Sequence, residues 1–146
     1  MDEDRVNHSL SVAKKMVEIG KRKNLVKEQL DELFMLGYVH DIGYQYIDEK
    51  HPSHNEEGAK KLKEAGYKYW QEVKYHGMIN VDYHSEYLDI LNEADMQIDK
   101  YGNDVGFDER LEDIKGRYGE NSRVYNVVKT LVDSIRAKEK DGDEGR

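Results

Sequence analysis

His40 and Asp41 stand side by side in Tyr38-Val39-His40-Asp41-Ile42-Gly43, at the foot of an apolar run. Neighbours of these two types can hand one imidazole nitrogen and one or two carboxylate oxygens to the same metal centre. A single dipeptide carries little weight, because six histidines among many aspartates give such a pair by chance about every second time. The chemistry depends on whether other histidines and a distant acid stand where a metal site needs them. The chain has no cysteine, which excludes disulfides, thiolate sites and cysteine nucleophiles and leaves His, Asp and Glu as ligands.

The elements that must position these residues read as helices. A single proline, Pro52, and helix-period apolar spacing through most of the chain point to an all-α fold. A first helix is expected from about Asp4 to Ile19, with Val12, Met16 and Gly20 at four-residue steps and His8 one step earlier on the same stripe. Gly20 and the basic run Lys21-Arg22-Lys23 close it, the run itself reading as a solvated helix end. A second helix, about Val26 to His40, turns Leu30, Leu33, Phe34, Leu36 and Gly37 inward. The next four-residue step lands on His40 and Asp41, so both point toward the core. Gly43 then releases the chain into a loop, Tyr44 to Pro52.

Ser53 as N-cap and Glu56 three residues later open a third helix, about His54 to Ala65, with His54, Gly58 and Leu62 in line. Tyr69 to Met78 aligns Tyr69, Val73 and His76, and Glu86 to Lys100 aligns Leu88, Leu91, Asp95 and Ile98. An aspartate on that last stripe costs several kcal/mol if unpaired, so Asp95 needs a strong partner. Gly102 to Asp108 reads as a loop, Glu109 to Lys115 as a short helix, and Ser122 to Ala137 as a longer one with Val124, Val128, Leu131 and Ile135 inward. Residues 1–137 form one domain, and 138–146 read as a charged, disordered tail.

Four histidines and two aspartates thus fall on inward faces: His8, His40, Asp41, His54, His76 and Asp95. Any one alone is more often a hydrogen-bonded core residue or a buried ion-pair member. Six in a small cysteine-free core, with few inward basic residues to pair the aspartates, are accounted for together by a metal centre.

The sequence here resembles the HD-domain superfamily of metal-dependent phosphohydrolases over about residues 6 to 101. The first family histidine corresponds to His8 in His8-Ser9-Leu10-Ser11-Val12-Ala13, the doublet to His40-Asp41, and the final aspartate to Asp95 in Glu93-Ala94-Asp95. The His54-x-x-x-Gly58-Ala59 spacing and the Tyr75-His76 step look like the extra histidines of the subset that binds two metals. The resemblance implies a compact HD-type helical bundle. It also implies one ion held by His8, His40, Asp41 and Asp95, with Asp41 bridging to a second on His54 and His76. The ligand types suit iron, manganese, cobalt or nickel. Such a pair supplies activated water for attack on phosphorus and neutralises charge on the phosphoryl oxygens. Catalytic roles then fall on Asp41, the bridge that orients the nucleophilic water, and on His40. A mononuclear site on His8, His40, Asp41 and Asp95 is the simpler variant.

Substrate contacts are expected from Tyr44, which follows the doublet where some related hydrolases carry a lysine, and from Lys60, Lys61, Lys74 and His84. A solvated surface role is the commoner reading for each lysine and for the loop histidines His51 and His84. The eleven tyrosines and Trp70 could stack on a nucleobase, although such aromatics more often pack.

Composition narrows the partners. A formal net charge of −8 argues against binding nucleic-acid polymers, which needs many Lys/Arg–phosphate contacts. It leaves room for a small anionic substrate such as a nucleotide, because bound cations reverse the local field. No stretch approaches a membrane span and the acidic start Met1-Asp2-Glu3-Asp4 is unlike a secretory signal, so a cytoplasmic protein is expected, without a membrane partner. Asn7-His8-Ser9 is then only formally a glycosylation acceptor. A homodimer is compatible with this composition.

The expected function is hydrolysis of a phosphoester or phosphoanhydride in a small nucleotide-like molecule, with dinucleoside polyphosphates as the nearest analogy. Two alternatives stand beside it: a diiron HD-type oxygenase acting on a small organic or organophosphonate substrate, and a non-catalytic HD regulatory module.

Overall fold

The computed structural model describes residues 2–144, with side chains through 138. Among the described residues seven α-helices follow one another: α1 Glu3–Arg22, α2 Lys27–Val39, α3 His54–Glu64, α4 Trp70–Tyr75, α5 Glu86–Asp95, α6 Gly106–Tyr118 and α7 Arg123–Glu144. A 3-10 turn, Ile42–Gln45, follows α2. No strand occurs among the described residues, only an isolated bridge between Ile98 and Asp104. The all-α expectation is met, in one compact domain.

Two apolar clusters hold the helices. The larger joins α1, α2, α4 and α5 through Val12, Met16, Ile19, Leu33, Leu36, Val73, Ile90 and Leu91. The smaller joins Met96 to α6 and α7 through Leu111, Leu131 and Val132. Burying a large aliphatic side chain contributes about 1.5–3 kcal/mol, so the first cluster is the main fastening of the α1–α2–α5 layer.

Two glycines are required by close approach. A Cβ on Gly37 would stand 2.6 Å from the Ala13 Cα, which is how α2 comes to lie against α1 beside His8. A Cβ on Gly43 would stand 1.7 Å from the His54 carbonyl oxygen, and Gly58 faces Gly43 in turn. Gly43 therefore does not release the chain into a loop. It lets the 3-10 turn after Asp41 press against the start of α3, and so sets His54 beside Asp41.

Several boundaries differ from the sequence expectation. Gly20 lies inside α1, buried, where a Cβ would meet Leu30 and Leu33 at 2.7 Å; the chain reverses at Asn24, whose φ is 62°. Phe34 is 37% exposed, stacked along α2 on Tyr38, because Leu33 and Leu36 already fill the interface with α1. Helix α4 stops at Tyr75, with His76 extended and Gly77 at φ +72°. Helix α5 stops at Asp95, not Lys100, since the Asp99 carboxylate accepts the backbone N–H groups of Tyr101 and Asn103 and organises a loop there.

The expected loop ahead of the sixth helix gives way at Gly106, so α6 is a 13-residue helix. On α7 the buried stripe is Leu131 and Val132, with Val124 46% exposed, because the helix lies on Met96 and α6 by its middle turns. Helix α7 also continues to Glu144, through most of the tail expected to be disordered: Ala137-Lys138-Glu139-Lys140 are good helix formers. Residues 145–146 of that tail lie outside the described residues.

Candidate metal centre

The six inward polar residues meet at one place. His8 comes from α1, His40 and Asp41 from the end of α2, His54 from the first turn of α3, His76 from just beyond α4, and Asp95 from the last turn of α5. His8, His40, Asp41, His76 and Asp95 are all at most 7% exposed, and the His54 side chain is 30% exposed.

Backbone carbonyls aim three of the imidazoles. The Nδ1–H of His40 donates to the Gly37 carbonyl at 2.6 Å, that of His76 to Val73 at 2.6 Å, and that of His8 to Asp99 at 2.8 Å. A carbonyl only accepts, so in each ring Nδ1 carries a proton and Nε2 is the atom turned toward the centre. This is the usual way a metal-binding histidine is oriented. His54 is held differently, by the Tyr44 ring stacked on it at 4.0 Å between centroids. Asn55 ties α3 to α4 by donating to the carbonyls of His76 at 2.8 Å and Lys74 at 3.2 Å. Asn92 of α5 accepts from the Gly77 N–H at 2.8 Å, so His76 is fixed from both sides.

The Asp41 carboxylate divides the histidines into two pairs. Its Oδ2 lies 3.2 Å from His40 Nε2 and 3.6 Å from His8 Nε2. Its Oδ1 lies 3.3 Å from His76 Nε2 and 3.6 Å from His54 Nε2. Asp95 Oδ1 faces the first pair, 2.9 Å from His8 and 3.4 Å from His40. A grouping of His40, His76 and Asp95 is also close enough for one ion. The Asp41 oxygens favour the other division, because each points at a different pair.

The electrostatics suit cations. His40 Nε2 is fully buried and has no hydrogen-bond partner, an arrangement that costs about 1–3 kcal/mol unless something occupies the site. Burial opposes the charge of Asp41, yet the His40 and His76 imidazoles hold its carboxyl well below the usual range. Asp95 is likewise held low against burial, by His40 and His8. Burial disfavours a charged His40 too, but Asp41 and Asp95 raise its pKa well above the ordinary value. His54 goes the other way: burial lowers it to about 4, with Asp41 only partly compensating. Four imidazoles and two carboxylates, converging with Nε2 atoms and carboxylate oxygens inward, are the donor types that divalent transition metals take.

The centre lies in the wall of a cavity of about 670 Å³, a volume suited to a small organic ligand. Tyr44 and Lys74, two of the residues expected to contact substrate, line it. Lys60, Lys61 and His84 do not. Lys61 lies two turns, about 10 Å, along α3 from His54 and sits over the Tyr46 ring; Lys60 and His84 are exposed elsewhere.

Four cations that sequence reasoning passed over line the cavity instead: Arg5, Lys100, Arg110 and Arg117. The Arg5 guanidinium lies 3.3 Å from the centroid of Tyr44, completing a stack of Arg5, Tyr44 and His54. The one sequence signal for Arg5 was its position three residues before His8, on the same helix face.

A family model described as HD domain matches residues 5–137. No curated protein and no solved structure matches the chain.

Proposed function

Because the chain belongs to the HD-domain family, we propose that it is a metal-dependent phosphohydrolase. It would cleave a phosphoester or phosphoanhydride of a small nucleotide-like substrate. The observation that carries this reading is the Asp41 carboxylate, each oxygen facing its own pair of imidazole Nε2 atoms at the wall of a cavity lined by side chains of both charges.

In this reading His8, His40, Asp95 and Asp41 would hold one ion, and His54, His76 and Asp41 a second. Divalent cations there supply Lewis acidity and bring the pKa of a water molecule near neutrality. The chain's own residues do the rest. Asp41 keeps its charge even though buried, and so stays a ligand at both oxygens. Arg5 and Lys74 offer positive charge to phosphoryl oxygens entering the cavity. Tyr44 stands in the cavity wall against His54, and its hydroxyl, protonated at neutral pH, can give a proton to a leaving oxygen.

Metal analysis of the purified protein is the first test. Phosphate release from nucleotides and dinucleoside polyphosphates follows, for each metal-reconstituted form. Two ions per chain and metal-dependent release are expected. One ion per chain, unaltered by His54→Ala or His76→Ala, would reduce the centre to a mononuclear one. Oxygen consumption by the reduced iron form with an organophosphonate, and neither phosphate nor nucleotide products with any metal, would overturn hydrolysis.

A further inference from the structure

The cavity has a second wall whose chemistry the metal centre does not use. Helix α6 turns Arg110, Ile114 and Arg117 into it, at steps of four and three residues that share one helix face, and α7 contributes Val124 and Val128. The Arg110 side chain is only 14% accessible. Among the described residues its Nε is buried without a hydrogen-bond partner, and its nearest acid, Asp113, stands 3.9 Å away. Asp113 is already engaged by Arg117 at 2.7 Å. Asp99, also within the field of Arg110, spends its oxygens on the N–H groups of Tyr101 and Asn103 and on the Asn103 amide.

A guanidinium carries five donors in a fixed fork and keeps its charge in any surroundings. One held in an apolar wall with donors unspent is costly unless an anion completes it. We propose that Arg110, helped by Arg117, is a second anion subsite of this cavity, and that the substrate is bis-anionic. One phosphoryl group meets the metal centre, and a separate phosphate is gripped by Arg110 across the apolar lining of Ile114 and Val128. The proposal rests on the hydrolase reading for the first group and narrows the substrate class for the second.

The test compares alkyl monophosphates with α,ω-alkanediol bisphosphates of graded chain length, on the metal-loaded full chain. One charge-assisted contact corresponds to about a tenfold effect or more. The bisphosphate is therefore expected to have a KM about tenfold below that of the matched monophosphate. Arg110→Gln should erase most of that ratio, and Arg117→Gln part of it. An Arg110 that merely supports α6 would change both substrates alike, and an unchanged ratio in Arg110→Gln overturns the subsite.

Calorimetric binding of the same two compounds separates this from the hydrolase reading. If neither compound releases phosphate, a bisphosphate preference in binding that Arg110→Gln abolishes still supports the subsite. Equal binding of the two compounds by the wild-type chain rejects it.

Discussion

At the scale of single residues, Asp41 carries the most. It is the one group among the described residues whose two oxygens face both histidine pairs, so in the proposed two-ion reading its replacement would affect both ions at once. Asp41→Ala is expected to lose metal from both positions and to lower phosphate release by about a hundredfold or more, as elemental analysis and steady-state kinetics would record. His54→Ala should cost only the ion on the Oδ1 side.

The pH behaviour of the histidines is the second residue-scale prediction. In chelator-treated protein, His54 should titrate near pH 4, read by NMR of its ring protons. Its folded pKa lies below the unfolded value near 6.5, so the unfolded chain binds more protons between those limits and stability falls as pH drops through them. The loss is on the order of 2 kcal/mol and should vanish in His54→Asn, measured by urea unfolding at pH 6.5 and pH 4.5. His40 has the opposite sign: its contribution is fully present below pH 6.5 and is lost as pH rises through its raised folded pKa. Asp41 and Asp95 contribute above the unfolded carboxylate pKa, and lose that contribution only as pH falls through their lowered folded values. The window from pH 4.5 to pH 6.5 therefore isolates His54.

At the scale of elements, the precision of the centre depends on how the turn after Asp41 meets α3. Gly43→Ala would place a methyl 1.7 Å from the His54 carbonyl, so one of the two segments must move. A loss of about 3 kcal/mol or more and weakened metal binding are expected, from denaturant titration and metal titration respectively. Gly58→Ala, whose Cβ would sit 3.0 Å from the Gly43 nitrogen, should cost less. The Tyr44 ring offers a finer probe of the same junction. Tyr44→Phe keeps the stack on His54 and should keep metal affinity, while Tyr44→Ala should lower affinity by roughly 10–100-fold. If Tyr44→Phe retains metal but loses turnover, the hydroxyl is the proton donor.

At the scale of the whole molecule, ligands from five separate helical segments close one small site, so metal binding and folding are coupled. A bound ion at a hundred times its Kd adds about 2.7 kcal/mol of stability. Chelation should therefore lower Tm by several degrees in differential scanning calorimetry, and Asp41→Ala should lack that response. Among the described residues no helix is long and apolar enough to cross a membrane. The cavity is lined by Arg5, Lys74, Lys100, Arg110 and Arg117 and also by Asp2, Asp4, Asp41, Glu56 and Asp95, in a chain whose formal net charge is −8. Under the proposed function, cations bound at the two aspartates would tip that balance toward an anionic substrate, and the field of the whole chain would disfavour nucleic-acid polymers.

The six inward ligand candidates and the all-α class were legible in the chain, because a buried helix face repeats at 3.6 residues and a polar residue on it stands out against its neighbours. His8, His40 and Asp95 were found this way, on stripes with Val12, Leu36 and Leu91. Arg5, Arg110 and Arg117 were not, because a charged residue on a helix face facing a cavity has the same local pattern as one facing water. Gly20 and Gly43 misled for a related reason: sequence shows that a side chain is missing there but not which neighbour needs the space. The His40-Asp41 doublet thus supplied donor types and facing by itself. Which oxygen of Asp41 meets which imidazole was decided only by the packing of α1, α3, α4 and α5 around it, since those distances are set by contacts between residues far apart in the chain.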